Sequence, residues 1–482
     1  MKRMMALAER TRPGGGTWLA WVALGCVGIG VLAGVNPAYG VAAALGIAFA
    51  AVVISDTVIG LTLFTILSFL EVLSSGGAAS SFIKVAGLLL FGSWLARATT
   101  RRGEGSMVSL LQASPMVVVA GVALVAWSTI SIAWAQSTGL ALTDTYRYLL
   151  NLLLVPIVYG TVRQREQMVW VVTAFVLGAV ISTLYGFLNP ASPVGNNAGR
   201  STGTLGDPNA QAAVLVAAVA LAFGLAGVFR RAPLLRLLAV SAALISIVGV
   251  LNTLSRSGLI ALGSMMVAGI VFGGRWRRWA ALVLVLGAVG AVGYYVDIAP
   301  PGASARVTSA DTSGRSTIWA VGWRMAQANL LIGVGSGNFQ LASIHYLQAP
   351  GELTRTDLIV DTPKIAHNIY LEALADMGLP GLLALLAVLG GSLGVAWRAA
   401  QAFERSGNED LELIARAVIL ALVGSMASDF FVSNEFSKQL WLLIAFCPTL
   451  LALALNRAGG DTTGITANEA PGPHPSLAGA RA

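Results

Sequence analysis

Apolar residues fill the chain in long, nearly uninterrupted runs, and the short segments between them gather Gly, Pro, Asn, Ser and Arg. A bilayer core is crossed by about 20 helical residues, so a window of about 19 residues is the relevant ruler. It marks spans near 17–35, 38–54, 57–73, 82–98, 115–135, 145–161 and 168–188. A second set follows near 209–229, 236–253, 258–274, 279–296, 372–397, 412–431 and 438–455. The pattern predicts an all-α, polytopic transmembrane helical bundle of about 12–14 helices, the second and third of which are short enough to merge or re-enter. It divides the chain into N-terminal helices over 1–296, with loops at about 189–208 and 252–258, then a large polar segment over 297–371. C-terminal helices follow over 372–457, and residues 458–482, rich in Gly, Pro, Thr and Ala, read as a disordered cytoplasmic tail.

Composition agrees with this class, since 56% of the 482 residues are hydrophobic and only 11% are charged. The formal charge of +8 does not point to nucleic acid, because Lys and Arg flanking membrane helices produce the same excess. The two cysteines, Cys26 and Cys447, lie inside apolar runs and read as packing residues. The basic start Met1-Lys2-Arg3, with Arg10 and Arg12, precedes an apolar stretch from Thr17 to about Gly34 that is longer than a signal-peptide core, so an uncleaved first helix is expected.

Charge then orients the spans. With the N-terminus in the cytoplasm, twenty of the 30 Lys and Arg residues fall on inner connections, among them Arg163, Arg165, Arg230, Arg231, Arg275, Arg277 and Arg278. An even helix count places both termini inside and turns three polar segments outward. The first runs from Gly195 through Arg200 to Asp207-Pro208-Asn209 and is an irregular loop whose glycines let backbone amides approach an anion. The second, Asn252 to Gly258, is a tight turn holding Arg256 at membrane depth. The third, Asp297 to Ala366, contains Gly314-Arg315 with Trp319, then Gly333-Val334-Gly335-Ser336-Gly337-Asn338-Phe339, and is long enough for amphipathic helices over the membrane exit.

Beyond it, His367, Asn368, Tyr370 and Glu372 fall within six residues as the chain re-enters an apolar run. If that stretch is helical, His367 and Tyr370 share a face able to line a cavity. The plainer alternative is a helix start in which Asn368 caps and Tyr370 sits at headgroup level. Outward arginines beside Gly- and Ser-rich turns suit a diphosphate, whose oxygens the guanidinium fork grips in pairs. A lipid-linked diphosphate would enter sideways from the bilayer. His345 belongs to the outer segment as a second histidine, and His474 lies in the tail.

These motifs, in this order over roughly residues 195–395, resemble the superfamily of O-antigen ligases and O-antigen polymerases. The resemblance rests on Gly203 to Asn209 after Arg200, on Ser255-Arg256-Ser257-Gly258, on Gly314-Arg315 with Trp319, on Gly333 to Phe339, and on His367-Asn368-Ile369-Tyr370-Leu371. It implies a GT-C-like membrane glycosyltransferase of the bacterial inner membrane, with its active site facing outward. Such an enzyme moves a glycan, with inversion and without metal or other cofactor, from an undecaprenyl-diphosphate carrier to an acceptor hydroxyl on another glycan or on lipid A-core. Carried onto this chain, His367 orients or deprotonates the acceptor, Arg200 and Arg256 hold the diphosphate, and Arg315 is a further candidate for substrate contact. Asn209, Asn368 and Tyr370 complete the expected substrate-binding set. About fourteen spans is more than ligases of the family typically carry and favours a polymerase. The alternative from another class is a transporter or flippase of lipid-linked glycans, which internal repeats and mid-span charges would announce. No convincing repeat is visible between the halves, and Asp56, Glu71 and Asp376 lie near span ends.

Overall fold

The computed structural model describes residues 15–70, 78–100, 106–189, 199–299, 302–308, 314–347, 353 and 356–465. Arg10, Arg12, Glu71 and His474 therefore lie outside the described residues. Those described form helices and loops, with no strand among them. The first group is α1 (Gly15–Val35), α2 (Pro37–Ser55), α3 (Thr57–Leu67), α4 (Ala78–Thr100), the short α5 (Met107–Ala113), α6 (Pro115–Ser131), α7 (Thr138–Thr161) and α8 (Arg165–Leu188). Then come α9 (Pro208–Val228), α10 (Pro233–Asn252), α11 (Arg256–Phe272) and α12 (Arg277–Gly293). The polar segment after them holds α13 (Ala303–Thr308), α14 (Arg315–Ala328), α15 (Phe339–Ala342) and α16 (Asp357–Val360). The chain closes with α17 (Ile369–Arg405), α18 (Glu409–Ser428) and α19 (Lys438–Ile465), the last running past residue 457, where the C-terminal helices were expected to end.

Each of the fourteen apolar stretches read from the sequence holds a helix, although in the stretch 57–73 it ends at Leu67 and residues 71–73 lie outside those described. Seven helical stretches among the described residues are long and apolar enough to cross a membrane, and α5 with α6, bent by 110°, forms an eighth candidate. Several others, α3 and α11 among them, are apolar but shorter than a full crossing. This is an all-α polytopic bundle, and the protein is a membrane protein.

The bundle is built around α9, whose Ala-rich sequence allows close approach on several sides. A Cβ on Gly224 would come within 2.7 Å of Ala417 in α18, so that crossing needs a glycine. Polar caps start the helices: Asp207 accepts from the Asn209 and Ala210 amides at 2.8 and 2.9 Å, and Ser255 accepts from the Gly258 amide. This polar segment has its own small core of Ile318, Val321, Met325, Phe339 and Ile359, which reaches Ala375 in α17.

That junction is the least regular part of the fold. α17 breaks at Gly378, whose φ of 65° and ψ of −166° fall in a region open essentially to glycine alone, and Pro380 follows. The break releases carbonyls that the helix would otherwise use, and the glycine-rich string after α14 takes them. Val334 donates to the Ala375 carbonyl at 3.0 Å, Gly335 to that of Asp376 at 2.8 Å, and Leu379 donates back to Leu330 at 2.8 Å. The Trp127 indole takes the Met377 carbonyl at 2.7 Å, and the Gly337 amide reaches the Asp376 carboxylate at 2.8 Å. Gly333, Gly335 and Gly337 all have positive φ, so this string is shaped to dock on the broken helix, and these amides face protein acceptors. A Cβ at Gly378 would stand 2.6 Å from the Leu331 carbonyl group. Gly378→Ala is expected to destabilise the protein by at least about 1–3 kcal/mol, the usual range for a strained backbone site. Thermal unfolding in detergent would measure it, and an unchanged midpoint would mean that the break is dispensable.

Candidate functional site

The polar loops named above meet at one end of the bundle. The Ser201 amide donates to the Asn252 carbonyl at 3.0 Å, tying the 199–207 loop to the 253–255 turn. The Thr204 hydroxyl, bonded to Ser182 at 2.7 Å, also donates to the Phe69 carbonyl, and Gln439 donates to Ser68 at 2.8 Å. Ser137 donates to Asn338 at 2.7 Å, and Ile369 to the Asp429 carbonyl at 3.0 Å. Loops far apart in sequence thus form one polar floor.

Arg200 is buried, with only 7% of its surface exposed. Its Nε donates to the Thr253 carbonyl at 2.9 Å and its terminal nitrogen to Asn209 Oδ1 at 3.0 Å. The same oxygen accepts from the Ser255 hydroxyl at 2.8 Å, which also pairs with Ser257. Arg200 and Asn209 therefore brace the turn that presents Arg256, the first residue of α11 and half-buried at the surface of this end. Arg315 begins α14 behind Gly314, whose φ of 78° suits glycine.

His367 does not share a helical face with Tyr370. It stands before the cap of α17 with φ of 50°, an uncommon left-handed conformation for a histidine, and is half-buried. The residues on either side hold it there. Asn368 is the N-cap, accepting from the Tyr370 and Leu371 amides at 3.0 and 3.1 Å. The Ala366 carbonyl accepts from the Trp319 indole at 3.0 Å, and the Ala366 amide bonds the Glu372 carboxylate, which the Ser433 hydroxyl also meets. Tyr370 is turned to packing: its hydroxyl donates to the Met426 carbonyl at 2.9 Å and its ring lies 4.5 Å from that of Phe430. His345 lies elsewhere in the segment, 3.5 Å from Gln136.

Electrostatics joins what the hydrogen bonds position. Burial, then the charge of Arg315, lowers the His367 pKa below its ordinary value, and Lys364 adds to this while Asp207 opposes it. Arg315 is itself lowered, by burial and then by Arg256, and it remains a cation because arginine starts so high. Arg256, Arg315 and His367 therefore share one field, with Asp207 as the opposing charge. Arg315 is the link between Arg256 and His367, and burial with the Arg315 charge favours the neutral form of the imidazole. Sequence reading had set Arg315 behind Arg200; it named Glu372 in the polar stretch with His367 but gave it no role, and it did not single out Asp207. Asp207 did stand within a quoted motif, and its N-cap position before Pro208 was its only local signal.

A family model described as O-Antigen ligase matches residues 241–386, and no curated protein matches the chain. The matched segment runs from α10 to the middle of α17, enclosing the Arg256 turn, Arg315, the glycine string with its docking break, and His367. Arg200 and Asn209 lie before it. Over residues 241–386 the chain is therefore similar to the O-antigen ligase family, which supports its resemblance to the O-antigen ligase and O-antigen polymerase superfamily.

Proposed function

We propose that the protein transfers a glycan from an undecaprenyl-diphosphate carrier to an acceptor hydroxyl, with inversion, at the outer face of the inner membrane. The observation that carries this reading is the grouping of Arg256, Arg315 and His367, in which burial and the Arg315 charge lower the His367 pKa. The two cations receive the diphosphate, whose negative charge also relieves their mutual repulsion. The acceptor hydroxyl gives its proton to the imidazole as its oxygen bonds to the anomeric carbon. The bond from that carbon to the diphosphate oxygen breaks, and its electron pair leaves with the carrier. A single displacement of this kind inverts the anomeric centre. The leaving group needs charge stabilisation more than an acid, and the nucleophile needs a base, which is the division these residues offer. Arg200 and Asn209 act by holding the Arg256 turn.

The outward placement is supported by the arginines of the other end, Arg163, Arg165, Arg230, Arg231, Arg275, Arg277 and Arg278, which match the positive-inside bias. The test is reconstitution of the purified protein with lipid-linked oligosaccharide. Extended or transferred glycan supports the reading, whereas movement of lipid across the bilayer without a new glycosidic bond would identify a flippase. The acceptor class follows from the same assay: growth on the carrier marks a polymerase, and transfer to lipid A-core marks a ligase.

The depressed His367 pKa fixes a pH dependence. The base works only when neutral, so kcat/KM falls as pH drops through the His367 pKa, below the ordinary imidazole value of about 6.5. The Arg315 charge contributes to that depression, so Arg315→Gln moves the acid limb to higher pH while lowering the plateau. A pH–rate profile with the limb unmoved would show that Arg315 does not act on His367.

A further inference from the structure

At the opposite end of the bundle the structure has a cavity of about 580 Å³, the size of a small-ligand or lipid-chain site. α10 packs mainly on α9, while α11 packs mainly on α18 and α12, so α10 and α11 part after the turn they share, and the cavity lies between them. Its wall is apolar, with Phe223, Val240, Met265, Met266, Val283 and Leu420. α12, one of its sides, has no buried residue of its own, so the wedge borders the bilayer. Trp276 and Trp279 stand at the mouth, where indoles favour the level of lipid headgroups.

The charges around the mouth are unbalanced. Every carboxylate at this corner already faces an arginine: Asp410 meets Arg165 and Arg230, Glu409 meets Arg230 and Arg275, Glu412 meets Arg275 and Arg416, and Glu404 meets Arg416. Four more arginines, Arg231, Arg236, Arg277 and Arg278, make no side-chain hydrogen bond or ion pair among the described residues, and Arg236 lines the cavity itself. A surplus of guanidinium at the mouth of an apolar wedge calls for a molecule with an anionic head and a hydrocarbon tail. We infer that this wedge is a binding site for an anionic phospholipid of the adjoining leaflet, with an acyl chain between α10 and α11 and the phosphate against Arg236 and its neighbours. The lipid would fill a gap that the helices leave open, and it lies at the far end of the bundle from the transfer site.

Native mass spectrometry of the full chain in detergent tests the assignment, with phosphatidylglycerol and phosphatidylcholine of equal chain length and with inorganic phosphate. One phosphatidylglycerol should be retained, preferred about thirtyfold over phosphatidylcholine, as two arginines beside an anionic headgroup supply. Arg236→Ala with Arg278→Ala should remove the preference and leave phosphatidylcholine retention unchanged. Ala280→Phe, which fills the wedge, should lose both lipids, and Val283→Trp provides a second filled variant should the first fail to fold, with thermal unfolding as the check. Equal retention of the two headgroups, retention undisturbed by a folded filled variant, binding of phosphate alone, or a lipid-free dimer would each overturn the inference.

Discussion

In the His367→Ala protein, glycan transfer is expected to fall by about 10²- to 10⁴-fold, the range a positioned general base supplies. The lipid-linked donor is expected still to bind, because the arginines proposed to receive its diphosphate are untouched. The left-handed backbone at this position supplies an internal control. Alanine keeps the strain of φ near 50° and loses the imidazole, while His367→Gly loses the imidazole and removes the strain. Both variants should be equally inactive and equally well folded in the membrane. Recovery of activity in the glycine variant would mean that the alanine damaged the α17 start, and near-normal turnover in either would leave His367 as a helix-end residue.

The second large effect separates gripping a diphosphate from simply carrying charge. Lysine at position 256 or 315 keeps the cation and loses the paired donors, so each variant loses about 1.5 to 3 kcal/mol of a charged hydrogen bond, or roughly tenfold to a hundredfold in transfer. The double variant loses most, though less than the product of the two, since neighbouring charges are coupled. Arg200→Lys is expected to differ in kind. Its bonds to Thr253 and Asn209 brace a turn, so it should lower thermal stability together with activity. Arg277→Lys, at the far end, is the control. Transfer rates over a range of donor concentrations decide the matter, and equal small losses at 256, 315 and 277 would sink the donor site.

The helices could be read from the chain because a membrane imposes a local rule: a run of apolar residues of the right length becomes a helix wherever it occurs. The break in α17 obeys no local rule. Gly378-Leu379-Pro380 sits inside an apolar run, and what makes it a break is the pairing of residues 330–337 with 375–379, some forty positions away. The glycine string shows the same limit from the other side, since Gly333 to Gly337 has the look of an anion loop until its amides are traced to protein acceptors. At the candidate site, the residue types and their common end of the bundle were apparent from motif order and charge. The division of labour was not. Whether Asn368 caps or contacts glycan, and whether Arg200 or Arg315 lies in the field of His367, turns on hydrogen bonds and burial that spacing alone does not encode.

The docking of the glycine string on the broken helix also bears on how the polar segment before it could be exchanged for that of a related chain. Val334, Gly335 and Leu330 on one side and Ala375, Asp376 and Leu379 on the other are halves of one joint. A chimera that imports a foreign polar segment ending at residue 366 would bring one half of the joint and leave the other behind, stranding carbonyls inside the bundle. The transplantable module therefore extends from the polar segment through Pro380, and a graft with that boundary should insert and fold where the shorter one is degraded.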